Sequence, residues 1–405
     1  MTQTNLGSTP VVAAMRKWGV IFLAAGAVGL AATFAISGQQ RFMADYLLGF
    51  WYFAGISVTM VFFSALQYLT RAGWSSAIRR IAENFSGFVP VIGIALIPIV
   101  ADVLTGHGIY EWTHESAKTD PLLIKKEVYL NNTFFFVRLG LYALLWFAFV
   151  RYIVGNSVKQ DTASDFRPSQ KNWKRSAPWI LLYAMTITFA SFDLLMSLEP
   201  HWFSTIWGVY AFAGHFVAAI AIVTLATTSF YRAGYLREYI TEEHFHDLGK
   251  LMFAFSVFWT YIAFSQYFII WFANLPEETI YFTHRTQGGW EYFGAALVLL
   301  HFVIPFITLL RQDVKRKLTI LRFAAVVILL SHFVDLAWII MPAVGKVMAH
   351  GNPDHHSSFV FGWQEFTGVM FFGGVFLFLA SRLFTSRNAV AVNDPLLHEA
   401  VEYTS

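Results

Sequence analysis

Residues 319–342 read TILRFAAVVILLSHFVDLAWIIMP, an apolar run interrupted in its second half by two titratable side chains, His332 and Asp335. A run of about 20 mostly apolar residues is long enough to cross the hydrocarbon core of a bilayer as one helix. Nine other runs in the chain meet the same criterion. The ten predicted spans are 17–36, 45–69, 85–105, 132–154, 178–198, 203–230, 249–272, 289–310, 319–342 and 360–383. The sequence therefore predicts an all-α polytopic membrane protein with ten transmembrane helices.

The composition agrees with a membrane protein and excludes several other classes. Of the 405 residues, 57% are hydrophobic, 18% are aromatic and only 13% are charged, whereas a soluble domain carries about 25% charged residues. The chain has no cysteine, which excludes disulfides, iron–sulfur clusters and covalently attached c-type haem on this chain. No phosphate-binding glycine loop is present, and the Lys and Arg residues lie between apolar runs rather than in one patch. Nucleic-acid binding is therefore not expected.

The distribution of positive charge predicts the orientation. Of the 28 Lys and Arg residues, 21 fall on one side of the predicted spans and six on the other, while Arg138 lies within a span. Cytoplasmic loops carry the excess of Lys and Arg, so both termini are predicted to be cytoplasmic. The predicted organisation is a cytoplasmic tail over 1–15, a ten-helix membrane domain over 16–383 and a cytoplasmic tail over 384–405.

Short motifs recur in the same order in two parts of the chain. The paired features are Phe53-Ala54-Gly55 and Phe212-Ala213-Gly214, Arg71-Ala72-Gly73 and Arg232-Ala233-Gly234, and Asp193-Leu194 and Asp335-Leu336. The predicted spans that carry each pair run in the same direction. The simplest interpretation is two four-helix bundles, spans 2–5 and spans 6–9, related by a pseudo-twofold axis along the membrane normal. Their repeat units cover approximately 44–198 and 203–342, and spans one and ten flank them.

Seven titratable or charged side chains within the predicted spans are the candidate functional set, because a charge inside the membrane needs a partner or a function. They are Arg138, Asp193, His215, His301, His332, Asp335 and Glu365. The predicted depths give an acidic layer with one arginine in the outer half and three histidines near mid-membrane. We expect Arg138, Asp193 and Asp335 to lie near one another, with His332 beneath them. Such groups can carry protons, since carboxyls in apolar surroundings can take up and release a proton near neutral pH.

Structural roles are the competing interpretation for the same residues. Arg138 could form an ion pair with Asp193 or Asp335 that ties helices together, and each histidine could be a core imidazole bonded to a hydroxyl. A bis-histidine haem is disfavoured because each span has one histidine. The loop pair His355-His356 could bind a metal, although a flexible loop is the simpler interpretation, and the remaining loop histidines are expected to be solvated.

Two stretches resemble a known family. The first is residues 193–214, DLLMSLEPHWFSTIWGVYAFAG, and the second is LGKLMF at 248–253 followed by FSQYFIIWFANLPEET at 264–279. Both resemble the NrfD-like (polysulfide-reductase type) membrane subunits of bacterial alternative complex III, a quinol:cytochrome c or copper-protein oxidoreductase. The sequence Leu-Glu-Pro-His-Trp at 198–202 and the modest chain length resemble the second, shorter of the two ten-span paralogues in that complex more than the first.

The resemblance implies a function and a set of partners. It implies a membrane subunit that contributes proton transfer and assembly, with a quinone or quinol site as a further possibility and no cofactor on this chain. The implied partners are the paralogous ten-span quinol-binding subunit, an iron–sulfur subunit, multi-haem and mono-haem cytochrome c subunits, and lipids of the bacterial inner membrane. Two alternatives stay open: that this chain is itself the quinol-binding paralogue, or that it is a proton-coupled secondary transporter. Pro98 and Pro305, in predicted spans that do not correspond, disfavour the transporter.

Overall fold

The computed structural model describes residues 4–349 and 361–403, and in these residues the chain is helical, with no β-strand. Nine segments in this part of the chain are long and apolar enough to cross a membrane, which indicates a membrane protein. A π-helical segment, Val298–Val303, joins the helix Trp290–Leu297 to the helix Ile304–Leu309. The helices are α1 (Pro10–Leu69), α2 (Arg79–Phe85), α3 (Ile92–Ala95), α4 (Ile97–Thr105), α5 (Pro121–Lys126), α6 (Asn132–Gln160), α7 (Arg167–Leu194), α8 (Trp207–Arg232), α9 (Glu242–Ala273), α10 (Pro276–Thr283), α11 (Trp290–Leu297), α12 (Ile304–Leu309), α13 (Leu318–Met348), α14 (Glu365–Ser386) and α15 (Leu397–Val401).

The first long helix contains a break at Gly38. This residue has φ 81° and ψ −178°, a conformation that glycine adopts without the steric cost a side chain would add. The next residue, Gln39, donates from Nε2 to Asp102 Oδ1 at 2.9 Å, which ties the break to α4. The break divides α1 into two helical parts, each long enough to cross a bilayer.

The third predicted span, 85–105, is a chain of short helices and not the single helix that was expected. It begins at Arg79 and changes to a 3-10 turn at Ser86–Val91, which contains Pro90. Pro98 then lies in the first turn of α4. Proline lacks the N–H of a regular helix and clashes with the preceding turn, so Pro90 lies near the end of the 3-10 turn, just before α3 begins, and Pro98 lies at the start of α4.

Helix α8 lies at the centre of the molecule and packs against α1, α7, α9 and α13. Helices α6 and α7 form a neighbouring pair, while α14 packs along α1. Ring contacts support this last pairing, such as Phe53 with Phe376, whose centroids are 5.2 Å apart. The buried core therefore runs along α8, with α1 and α13 on either side.

The first and last described segments of the chain lie at one end of the helices, which we call the basic end and define by residues 4–9, 70–78 and 387–403. The backbone N–H of Ala389 donates to the Thr4 carbonyl at 2.8 Å. The C-terminal segment then crosses this end, where Asp394 pairs with Arg79 and the Tyr403 hydroxyl donates to Asp247 at 2.7 Å. Arg79 was expected in a loop and is 1% exposed, because this segment covers it.

Some loop histidines that were expected to be solvated are buried. His244 is 0% exposed at the start of α9, where its ring completes a capping box with Thr241, and His246 and His114 are also buried. Helix α9 begins earlier than the predicted span, which brings His244 and His246 against neighbouring segments, whereas the His114 ring is bonded to the Gly108 carbonyl at 2.9 Å. His350, His355 and His356 lie outside the described residues.

Candidate functional site

A buried acid–histidine cluster joins α8 to α13. Tyr210, on α8, donates its hydroxyl proton to the Asp335 carboxylate on α13. One turn earlier on α13, His332 places Nδ1 at 4.0 Å from Asp335 Oδ2. His332 Nε2 lies 3.0 Å from His215 Nδ1, so the two imidazoles share a hydrogen bond. Three of the seven predicted residues, His215, His332 and Asp335, are therefore close together, although only the two histidines share a hydrogen bond and His332 Nδ1 has no hydrogen-bond partner among the described residues.

The repeated Phe-Ala-Gly motifs provide the space for the two histidines. A Cβ atom on Gly55 would overlap the His215 ring, and one on Gly214 would lie 3.0 Å from the His332 ring. A side chain at position 55 would displace the His215 imidazole and one at position 214 would crowd the His332 imidazole, so the small size of glycine permits close helix packing here. The motif pair recognised in the sequence thus has a structural role at this cluster.

His301 lies beside the same cluster in the π-helical segment. Its ring stacks on Trp259 with a centroid distance of 3.7 Å and an interplanar angle of 19°. In the part of the chain that the structure describes, neither nitrogen of His301 has a hydrogen-bond partner, and nor does Nε2 of His215. Buried polar groups are normally satisfied, and π-bulges are frequent at functional sites. These nitrogens are therefore able to bond to water or to a ligand.

An aromatic cavity of about 600 Å³ adjoins the cluster. Tyr210 and Trp259 belong to its wall, so the cavity touches the same tyrosine that bonds Asp335. Its polar lining includes Gln266, whose buried Oε1 has no partner among the described residues. A mostly apolar cavity with a few polar groups is typical of a small-molecule site. Its main aromatic walls are Trp207, Tyr210, Trp259, Phe264, Tyr267, Tyr281, Phe282, Phe302 and Trp338.

Arg138 and Asp193 form a separate cluster between α6 and α7. The guanidinium donates to both Asp193 oxygens, Nε to Oδ2 and Nη2 to Oδ1, each at 2.8 Å. Tyr142 donates to Asp193 Oδ2 at 2.7 Å, and the Tyr129 ring lies 3.9 Å from the Arg138 guanidinium carbon. No hydrogen bond or ion pair joins Arg138 to Asp335 within residues 4–349 and 361–403. The single outer layer that was expected is divided, because α7 and α13 present their carboxylates to different neighbours.

Glu365 belongs to a third cluster, near the break in α1. It pairs with Arg41 and accepts from the Gly362 N–H at 2.8 Å. Arg41 also lies 3.7 Å from Asp45, measured from Nε to Oδ2. Arg41 was counted among the loop cations but is 4% exposed, because α14 packs over it. Glu365 is thus joined to α1 and has no polar contact with Asp335 in the described structure.

An ion pair outside the spans closes the cavity at the end opposite the basic end. Arg285 Nη1 lies 2.9 Å from Glu199 Oε2, and its other nitrogens donate to the carbonyls of Trp338 and Ile339. Burial alone would raise the pKa of the Glu199 carboxyl, but the Arg285 charge and the nearby His284 outweigh it and hold that pKa below its usual value. The Glu-Pro-His-Trp turn is therefore anchored to the wall of the cavity.

The sequence reasoning missed several of these partners. Arg41 and Asp45, and likewise Arg138 and Tyr142, are four residues apart, a spacing that places side chains on one helix face and could have indicated the pairs. Tyr210 carried no such signal, since its partner is on a helix 125 residues away. Arg285 was expected in a loop, and no sequence pattern there indicates that its side chain is buried and paired with Glu199.

No family model matches this chain, and no curated protein matches it. Within the described residues, no group of three or more His, Cys, Asp or Glu side chains could hold a metal ion. The predicted pair His355-His356 lies outside those residues.

Proposed function

We propose that this chain is the integral membrane subunit of a quinol:electron-acceptor oxidoreductase, of the NrfD-like type found in alternative complex III. It contributes proton transfer and assembly, and its aromatic cavity binds the quinol or quinone ring. The proposal is supported by the two motif stretches at 193–214 and 248–279, by the helical membrane fold and by the cavity beside Asp335. Electrons leave through iron–sulfur and cytochrome c partner subunits.

The hydrogen bond between Tyr210 and Asp335 is the main observation that supports this proposal. Tyr210 faces the cavity and donates to Asp335, so a proton released in the cavity can reach the carboxylate through the phenol. Oxidation of a quinol to a quinone releases two protons and two electrons. His332 lies 4.0 Å from Asp335 and is bonded to His215, and this pair extends the proton route away from the cavity.

The proposal includes ten membrane crossings with both termini in the bacterial cytoplasm. The Gly38 break gives α1 two crossings, and an even number of crossings agrees with the contact between Thr4 and Ala389, which joins the first described residue to the segment that follows α14. Spans 2–5 and 6–9 then form the two bundles, with the first part of α1 and α14 as the flanking pair. The excess of Lys and Arg assigns the basic end to the cytoplasm.

The same cavity favours one alternative, that this chain is itself the quinol-binding paralogue. In that case, the isolated chain would retain bound quinone, whereas an accessory subunit would bind it only in the assembled complex. Extraction of quinone from the purified chain and from the purified complex separates the two functions.

Purification from the native membrane tests the proposal directly. Co-purification of subunits with c-type haem and iron–sulfur spectra is expected, together with oxidation of a soluble quinol analogue by the assembly. In this assembly, Tyr210→Phe should lower quinol turnover by about 10²-fold or more, the usual contribution of a positioned proton-transfer group. Tyr152→Phe, a tyrosine in α6 outside both the cavity and the cluster, is the matched control. A solitary chain with no redox partner would overturn the proposal.

A further inference from the structure

A second cavity lies between the flanking helices and the central ones. It has a volume of about 400 Å³ and is bounded by α1 and α14 on one side and by α8 and α13 on the other. Its walls are mostly apolar, with Met15 and Phe376 among the lining residues. The groove reaches from Ser229, near the basic end of α8, to Tyr52 and Leu329 in the middle of the helices.

The deep end of the groove offers little to a polar ligand. The Tyr52 hydroxyl is already used, since it donates to the Leu329 carbonyl at 3.0 Å. Beyond it, the Tyr52 ring packs against His332, with centroids 5.2 Å apart. An acyl chain fits this environment, because it needs apolar contacts and no hydrogen bonds.

The opposite end of the groove carries positive charge. Arg322 donates from Nη1 to Ser229 Oγ at 2.7 Å and to the Leu225 carbonyl at 3.3 Å, and both residues line the groove. Arg232, in the last turn of α8, lies close enough to act on Arg322 electrostatically. Neither arginine forms an ion pair with a carboxylate in the described part of the chain. Two cations without a protein counter-ion therefore lie beside the mouth of an apolar groove.

We propose that this groove binds an anionic phospholipid. The phosphate lies at Arg322 and Arg232, and one acyl chain extends along the groove toward Tyr52. Anionic lipids are attracted to basic residues at the membrane surface, and arginine can hold a phosphate by two parallel hydrogen bonds. The lipid would join the flanking pair, α1 and α14, to the central helices. This site is distinct from the aromatic cavity and does not depend on quinol chemistry.

Lipid rebinding to the full-length chain tests the proposal. The purified protein is delipidated in detergent, and its thermal unfolding and lipid retention are measured with phosphatidylglycerol, with phosphatidylcholine of the same acyl chains and with inorganic phosphate. Phosphatidylglycerol is expected to raise the melting temperature and to remain bound in native mass spectrometry. Arg322→Gln should weaken its binding about fivefold, the order expected for one arginine at an anionic surface. Arg311→Gln, an exposed arginine paired with Asp313, should leave binding unchanged.

Three outcomes would overturn the proposal. Equal retention of phosphatidylcholine would show that the groove does not select an anionic headgroup. Equal stabilisation by inorganic phosphate would show that an acyl chain in the groove does not contribute to binding. Unchanged binding in Arg322→Gln would show that the arginine does not hold the headgroup. If Arg322→Gln fails to fold, Arg232→Gln replaces it, because Arg232 is exposed and its substitution should still weaken phosphatidylglycerol binding.

Discussion

Substitution by asparagine should have different consequences at two of the buried aspartates, Asp193 and Asp335. Asp193 and Asp335 occupy equivalent positions in the predicted repeat, yet in the described part of the chain only Asp193 is paired with a Lys or Arg side chain. In Asp193→Asn, the bidentate contact with Arg138 is lost, and this buried arginine, 6% exposed as a residue, is left without its counter-charge. Removal of one partner of a buried ion pair costs about 3–5 kcal/mol. We expect a lower melting temperature and poor recovery of folded protein.

Asp335→Asn should change stability by no more than about 1 kcal/mol. Its carboxylate accepts from Tyr210 and is not paired with Lys or Arg in the described structure. Asparagine retains an oxygen that can accept the same hydrogen bond, so the lost free energy is at most that of one weakened bond. Quinol turnover by the assembled complex should nevertheless fall, because asparagine cannot take up a proton.

The assay is thermal unfolding in detergent, followed by tryptophan fluorescence and by the monodisperse fraction in size-exclusion chromatography. A double variant, Asp193→Leu with Arg138→Met, is the control. Replacement of both partners by apolar residues should recover most of the lost stability. Equal destabilisation by Asp193→Asn and Asp335→Asn would refute this reasoning, and unchanged turnover in Asp335→Asn would remove the proposed proton route.

Three further predictions follow from the same structure. Gly55→Ala should destabilise the fold by about 1–3 kcal/mol, because its methyl group overlaps the His215 ring. Gly140→Ala should be neutral or stabilising in the same thermal assay, because an added Cβ there meets no atom within 4 Å beyond its chain neighbours and its own helix backbone. The pKa of Glu199 is lower in the folded state than in the unfolded state, so its ionised carboxylate stabilises the fold at pH values above the unfolded-state pKa. This stabilisation is lost as pH falls through the folded-state pKa. Arg285→Gln should therefore flatten the dependence of melting temperature on pH at the acidic end. Fusion tags at the N- and C-termini should both be accessible only from the cytoplasmic side in spheroplasts, and exposure of either tag outside would contradict the proposed topology.

Much of the candidate site could be predicted because a charge in an apolar run is conspicuous. His332 and Asp335 were grouped correctly, since a spacing of three residues places them on one helix face. The pairing of Arg138 with Asp193 was among the predicted options. Tyr210 and Arg285 were not identified, because a tyrosine in a span or an arginine in a loop carries no signal of its partner.

The sequence by itself determined that the chain is helical and suited to a membrane, because the length and polarity of each apolar run depend on local composition alone. It also located the titratable side chains and the glycines of the repeat. Only the tertiary structure decided which charges meet, since Asp193 and Asp335 each begin an Asp-Leu pair within an apolar run but face different helices. The burial of Arg41 and Arg79 was likewise decided by distant segments that pack over them. Pairing between side chains depends on helix rotation and neighbour choice, and neither is encoded in the polarity of a single span.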